Sequence, residues 1–128
     1  HRMFDSGILT EGDRVELLQG EIIEMSPISR QHAACVDRLT ELFVGKLSAR
    51  AIVRVQNPIQ LSDRCEPQPD FAILQRRSDF YADSHPQPQN IFALVEVSDT
   101  TVEFDRTVKV PLYAKDNIAE VWIMDLNA

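Results

Sequence analysis

Pro69-Asp70-Phe71-Ala72-Ile73-Leu74 and, after a polar, proline-rich interval, Ile91-Phe92-Ala93-Leu94-Val95-Glu96-Val97-Ser98 are the stretches from which the rest of the chain is read. Both apolar runs are short and bounded by turn formers, the pattern of buried strands. Each carries one acid at an end of its apolar core, Asp70 and Glu96. An ionised carboxylate is costly to take out of water unless it is paired or bound to a metal. Two such acids at the ends of neighbouring strands suggest a divalent-cation site. Strand side chains alternate faces, so Glu96 and Ser98 point the same way. Two carboxylates, a backbone carbonyl (that of Val97) and waters make a hard, all-oxygen shell suited to Mg²⁺ or Mn²⁺. Lys109, closing Asp105-Arg106-Thr107-Val108-Lys109 on the next expected helix, brings a positive charge toward the same place.

Outward from these strands, the pattern is that of one α/β domain. Val15 to Leu18 and Glu21 to Met25 flank Gln19-Gly20 and predict a β-hairpin. A short helix is expected over Met3 to Leu9. Ser29 is a suitable N-cap. Ala33, Val36, Leu39, Thr40, Phe43, Val44 and Leu47 then recur at three- and four-residue steps, an amphipathic helix over about 29–49. Ala51 to Gln56 reads as a strand, interrupted by Asn57-Pro58, with pairing resuming at Ile59 to Leu61. The interval 75–90 reads as an exposed loop with one helical turn around Ser78 to Ala82. Val102 to Lys115 reads as a helix that Pro111 kinks or divides. Glu120 to Asp125 reads as a third buried strand. Strand, helix, strand at this spacing makes strands 91–98 and 120–125 parallel. Ending just after a core strand would leave a sheet edge uncovered, so a longer protein is expected.

The chain has 128 residues, 44% hydrophobic and 26% charged, which suits a single globular domain. It contains no apolar run of the roughly 18 residues that a membrane span needs, and no signal-peptide pattern. The net charge of −7 argues against a generic DNA-coating protein. It leaves room for an enzyme that meets nucleic acid through one local site and a bound metal. Cys35 and Cys65 have no metal-site spacing and read as free thiols of a reducing, cytoplasmic compartment.

The ordered set Glu16-Leu17-Leu18-Gln19-Gly20-Glu21-Ile22-Ile23-Glu24-Met25-Ser26-Pro27, Pro69-Asp70-Phe71-Ala72, Val95-Glu96-Val97-Ser98, Asp105 through Lys109 to Tyr113-Ala114, and Glu120 to Asp125 resembles the Uma family of restriction-endonuclease-like proteins. These belong to the PD-(D/E)XK nuclease superfamily. The resemblance covers nearly the whole chain. It implies a restriction-endonuclease-like core, with a mixed central sheet flanked by helices, and Mg²⁺-dependent (or Mn²⁺-dependent) hydrolysis of DNA phosphodiesters. It makes Asp70 and Glu96 metal ligands. The superfamily's usual lysine lies two residues after the glutamate, where this chain has Ser98. In this family the lysine has moved to the following helix, which points to Lys109. Glu21 or Glu16 of the hairpin completes the acidic site.

Each assignment has a plainer reading. Asp70 could cap a turn, and Lys109 could pair with Asp105 one helical turn away. His32 is more often a packing residue than a proton shuttle. Tyr113 and Trp122 read as core, and Asp125 as a strand-end acid. A catalytically inactive binding or oligomerisation module on the same fold, or hydrolysis of another phosphoester, are the alternatives to a DNA endonuclease. A homodimer would suit duplex cleavage.

Overall fold

Gln19 and Gly20 both take left-handed backbone conformations, with φ of 50° and 85°. Two consecutive positive φ values match the twist of a two-residue hairpin turn. They join β1 (Val15–Leu18) to β2 (Glu21–Glu24) in antiparallel register, Glu16 opposite Ile23 and Leu18 opposite Glu21. A Cβ at Gly20 would also stand 2.3 Å from the flexible end of the Arg64 side chain, which would have to shift. This computed structural model describes residues 15–25, 28–99 and 102–127. The helix expected over Met3 to Leu9 lies outside the described residues.

Helix α1 (Arg30–Leu47) begins where expected, with the Ser29 hydroxyl accepting the His32 amide at 3.1 Å. Four strands follow: β3 (Ile52–Val55), β4 (Phe71–Leu74), β5 (Ile91–Ser98) and β6 (Val121–Asp125). They form one sheet in that order. The pairs β3–β4 and β4–β5 are antiparallel and β5–β6 is parallel, the crossover expected from the spacing.

The alternation of strand side chains divides the core in two. Phe71, Val95 and Val97 face α1 and pack with Val36, Leu39 and Phe43. Phe43 meets Phe71 edge-on, with centroids 5.2 Å apart. Ala72, Leu74 and Leu94 face the other way, toward Leu18, Ile59, Leu112, Tyr113 and Ile118. Glu96 and Ser98 continue this second face. Burying the strand on both sides explains why its sequence is nearly all apolar.

Four local expectations are corrected. The helix over 102–115 is divided before Pro111, not at it. Segment α2 (Val102–Phe104) leads into a π turn (Asp105–Lys109), and α3 (Val110–Lys115) resumes. Pro111 has no N–H to donate to the preceding turn. The Val110 amide reaches back five residues to the Asp105 carbonyl, which closes the wider turn. Residues 59–61 do not resume a strand. Their amides bond to the Pro67, Pro86 and Cys65 carbonyls within a loop. The turn at 78–82 is not helical, because Phe80 and Tyr81 have φ of 53° and 60°. Finally, β6 is half exposed and Trp122 is 63% exposed, so neither is buried as expected. As an edge strand, β6 has one face that the described residues do not cover.

Candidate functional site

The acids converge at the end of the sheet where β4 begins and β5 nears its end. Asp70 precedes β4 and Glu96 lies on β5, and the two are interlocked by backbone bonds. The Asp70 amide donates to Glu96 Oε1 at 3.2 Å, and the Val97 amide donates to Asp70 Oδ2 at 2.8 Å. Antiparallel pairing of Phe71 with Val95 sets this proximity. Both carboxylates are buried.

Lys109 comes from the π turn and is 2% exposed. Its ammonium pairs with Glu96 Oε2 and, at 2.6 Å, with Glu16 Oε1. The residue two places after the glutamate does different work. The Ser98 hydroxyl donates to Asp105 Oδ2, which fastens the start of the π turn to the end of β5. With that end fixed, the wide turn directs Lys109 at Glu96. A chain with Ser98 in place of the superfamily's lysine thus still brings a lysine to the acid.

Of the two hairpin acids, the structure brings Glu16 into the cluster and not Glu21. Glu16 is buried and also accepts the Gln68 amide at 2.8 Å. Glu21 stands beside the turn and is exposed. The two acids lie on one face of the hairpin, on paired strands but not opposite each other. Distance from the turn separates them: Glu16 is far enough down β1 to reach the core.

Three further side chains reach the acids. His32 Nε2 lies 3.2 Å from Asp70 Oδ1, and Gln56 Nε2 donates to the same oxygen at 3.3 Å. The Tyr113 hydroxyl donates to Glu96 Oε2 at 2.7 Å. Ser29 explains the position of His32, since its hydroxyl both caps α1 and donates to Asp99 Oδ2 at 2.6 Å, holding the helix start against the end of β5. Tyr113 reads as core from its sequence context, and it is fully buried. Only the packing of α3 on the sheet shows where its hydroxyl goes. The cysteines are free, and Cys35 is partly buried beside this region.

The electrostatics follow from burial and crowding. Desolvation pushes the Glu96 carboxyl up to about 7; Lys109 pulls it down, while Asp70 and Glu16 add to the rise. Burial alone would drive the Lys109 ammonium down, but the Glu96 and Glu16 charges outweigh it and hold the group protonated. Burial, then the neighbouring carboxylates, raises the Tyr113 hydroxyl well above its usual range. It is therefore a hydrogen-bond donor at neutral pH.

Whether these groups suit a cation can be judged from their remaining lone pairs. A carboxylate offers about four acceptor positions. On Asp70, Oδ1 serves His32 and Gln56, while Oδ2 serves only Val97. On Glu96, Oε2 serves Tyr113 and Lys109, while Oε1 serves only the Asp70 amide. One oxygen of each acid thus retains acceptor capacity. Among the described residues no group of three or more His, Cys, Asp or Glu side chains is arranged to hold a metal ion. Mg²⁺ sites commonly use one or two carboxylates, with waters and substrate oxygens as the other ligands.

A mixed sheet with an acid pair and a buried lysine at one end of its central strands is the arrangement of a restriction-endonuclease-like α/β domain. The model of the Uma2 family, described as "Putative restriction endonuclease", matches residues 3–128. The chain belongs to that family. A comparison with curated proteins finds no match. No helix among the described residues is long and apolar enough to cross a membrane.

Proposed function

We propose that the protein is a Mg²⁺- or Mn²⁺-dependent endonuclease that hydrolyses DNA phosphodiester bonds at the Asp70–Glu96 site. The observation that carries this reading is the excess of buried negative charge. Asp70, Glu96 and Glu16 are buried together; the Lys109 ammonium contacts Glu96 and Glu16, and His32 Nε2 contacts Asp70. Charges removed from water need compensation, and Lys109 contacts only two of the three carboxylates. Asp70 and Glu96 would hold a divalent cation, with the Val97 carbonyl as a backbone ligand, and it would supply the balance. Family membership supports nuclease chemistry.

The chain's own residues have distinct parts in this reading. Asp70 and Glu96 hold the cation. When bound, it makes a water easier to deprotonate and stabilises charge on a phosphoryl oxygen. His32 and Gln56 fix the rotamer of Asp70, and Tyr113 fixes that of Glu96. Lys109 stays protonated and places a positive charge where negative charge develops on the phosphate. Glu16 and the Gln68 amide anchor the arrangement from the hairpin side.

Incubation with duplex DNA, single-stranded DNA, RNA and a small phosphodiester, each with Mg²⁺ or Mn²⁺, tests the reading. DNA cleavage that chelation stops and Glu96→Ala abolishes is the expected result. Full metal-dependent cleavage by Glu96→Ala would sink the mechanism. Preference for RNA or a small diester would change the substrate class.

The same site should couple cation binding to protons. The folded-state Glu96 carboxyl titrates near 7, against 4.5 for an unperturbed group. In the metal-free protein the proton on Glu96 is retained in the folded state and lost from the unfolded state between those two values. Stability from this group therefore falls as pH rises through that window. A cation must displace the proton, so Mn²⁺ binding at about pH 6 should release a proton and weaken about tenfold per unit of acidification, while binding at about pH 8.5 should release none. Calorimetry in buffers of different ionisation enthalpy reads this directly. Equal proton release at both pH values would contradict it.

A further inference from the structure

Arg54 sits in the middle of β3, opposite Ala72 on β4. Its strand neighbours show which way it points. Val53 and Val55 pack on the α1 side, and Ile52 packs on the other side with Ala72, Leu74 and Tyr81. Arg54 therefore lies on the face away from α1, the same sheet face as Glu96. Gln56, two residues further on, already touches Asp70 Oδ1. Gln56 lies just past the end of β3, so Arg54 stands on the strand that leads to the acid pair.

Among the described residues Arg54 makes no hydrogen bond or ion pair, and its Nη1 is shut off from solvent without an acceptor. Its guanidinium lies over the Tyr81 ring, with the guanidinium carbon 5.9 Å from the ring centre. A part-buried cation without an anion is costly. Arg77 lies over the same ring at 4.5 Å, but Asp79 neutralises it with contacts of 2.8 and 3.0 Å.

The backbone holds this arrangement at some expense. Phe80 and Tyr81 are consecutive bulky residues with positive φ, a conformation that persists only where the surroundings impose it and that clusters at ligand clamps. Here the Phe80 amide bonds to the Arg77 carbonyl, the Tyr81 amide to Asp79 Oδ1, and the Tyr81 hydroxyl to the Gln75 carbonyl at 2.5 Å. The outcome is that Tyr81 turns inward under Arg54 while Phe80 remains 59% exposed.

We infer that Arg54, packed on Tyr81, is a phosphate-binding subsite that holds a backbone phosphate of the nucleic acid strand bound at the acid pair. This rests on the nuclease reading for its choice of ligand. A guanidinium held by packing, with its hydrogen bonds unspent, is preorganised for the oxygens of a phosphate. The exposed Phe80 ring beside it offers a face for an unpaired base.

The test is binding of a labelled single-stranded oligonucleotide, followed by fluorescence anisotropy in Ca²⁺ to prevent cleavage. It compares wild type with Arg54→Met and Arg54→Lys, and inorganic phosphate serves as a competitor. Arg54→Met should weaken binding about tenfold or more, the loss expected for hydrogen bonds to a charged group. It should reduce the slope of log affinity against log salt by about 0.7, one single-strand phosphate contact. Arg54→Lys should keep that slope. Mn²⁺ affinity should not change in either variant, and the melting temperature of Arg54→Met should hold or rise, because an uncompensated charge is gone. Wild-type affinity in Arg54→Met, a marked fall in its melting temperature, or Arg54-dependent capture of phosphate alone would each overturn the subsite. Arg54-dependent oligonucleotide binding without cleavage in any metal would leave the subsite standing and remove the nuclease reading.

Discussion

Replacing Lys109 with methionine should cost about 3–5 kcal/mol of stability, the loss seen when one partner of a buried ion pair is removed. The side chain is 2% exposed and its ammonium contacts both Glu16 and Glu96. Methionine fills much of the same volume, so packing is nearly preserved and the change isolates the charge. What remains is two buried carboxylates with no cation. The melting temperature should fall on the order of 10 °C or more. The loss should shrink at acid pH, because Glu96, already displaced upward to about 7, can take up a proton and shed its charge. A second substitution, Glu16→Gln, should recover part of the loss, and the shortfall from additivity measures the coupling of the two residues. If Lys109→Met melts like wild type at about pH 8, the buried ion pair is not what holds this end of the π turn. Cleavage by this variant has meaning only at temperatures where it is folded.

The second large effect should come from Asp70→Asn, and it should appear in metal binding rather than in stability. Asparagine has nearly the same shape. Its carbonyl can still accept the Val97 amide, and its amide group can face Gln56 once that side chain is flipped. Removing one of three clustered negative charges also relieves Glu96, whose carboxyl Asp70 helps to push up. The variant should therefore melt within about 1 kcal/mol of wild type, the range of a volume-conserving change. Loss of a first ligand should exceed the roughly 10- to 100-fold effect of losing an outer-shell partner. Calorimetric titration of Mn²⁺ should then give no measurable heat of binding. A wild-type isotherm from Asp70→Asn would mean that the acid is structural, and would favour an inactive nuclease fold that serves as a binding or oligomerisation module.

These expectations draw on features that differ in how far they were readable from residues alone. The pair Asp70 and Glu96 stood out because each acid stands at an end of a buried apolar run, where removal from water is costly. The parallel relation of β5 and β6 followed from the length of the connection. The hairpin followed from Gln19-Gly20, and the start of α1 from Ser29. Each of these is a local or short-range constraint, expressed by residues close together in the chain. Trp122 shows the opposite case. A large apolar residue in an apolar run reads as core, yet β6 is an edge strand and its outer face is open. Edge position is a property of the sheet, not of the strand.

The same division runs through the site. Sequence by itself determined the α/β class, the strand order near the acids, and the two carboxylates, because alternation and burial cost operate along a single strand. It could narrow the hairpin acid only to Glu21 or Glu16, it read His32 as a surface or packing residue and Tyr113 as core, and it gave Gln56 no place at the site. Tertiary structure decided those. Lys109 and Glu16 are 93 positions apart and meet at 2.6 Å. His32 reaches Asp70 only because α1 is fastened to the end of β5. The π turn that aims Lys109 arises from Pro111 and the Ser98–Asp105 bond acting together. Contacts across such separations depend on how whole elements pack, and no periodicity within one element encodes them.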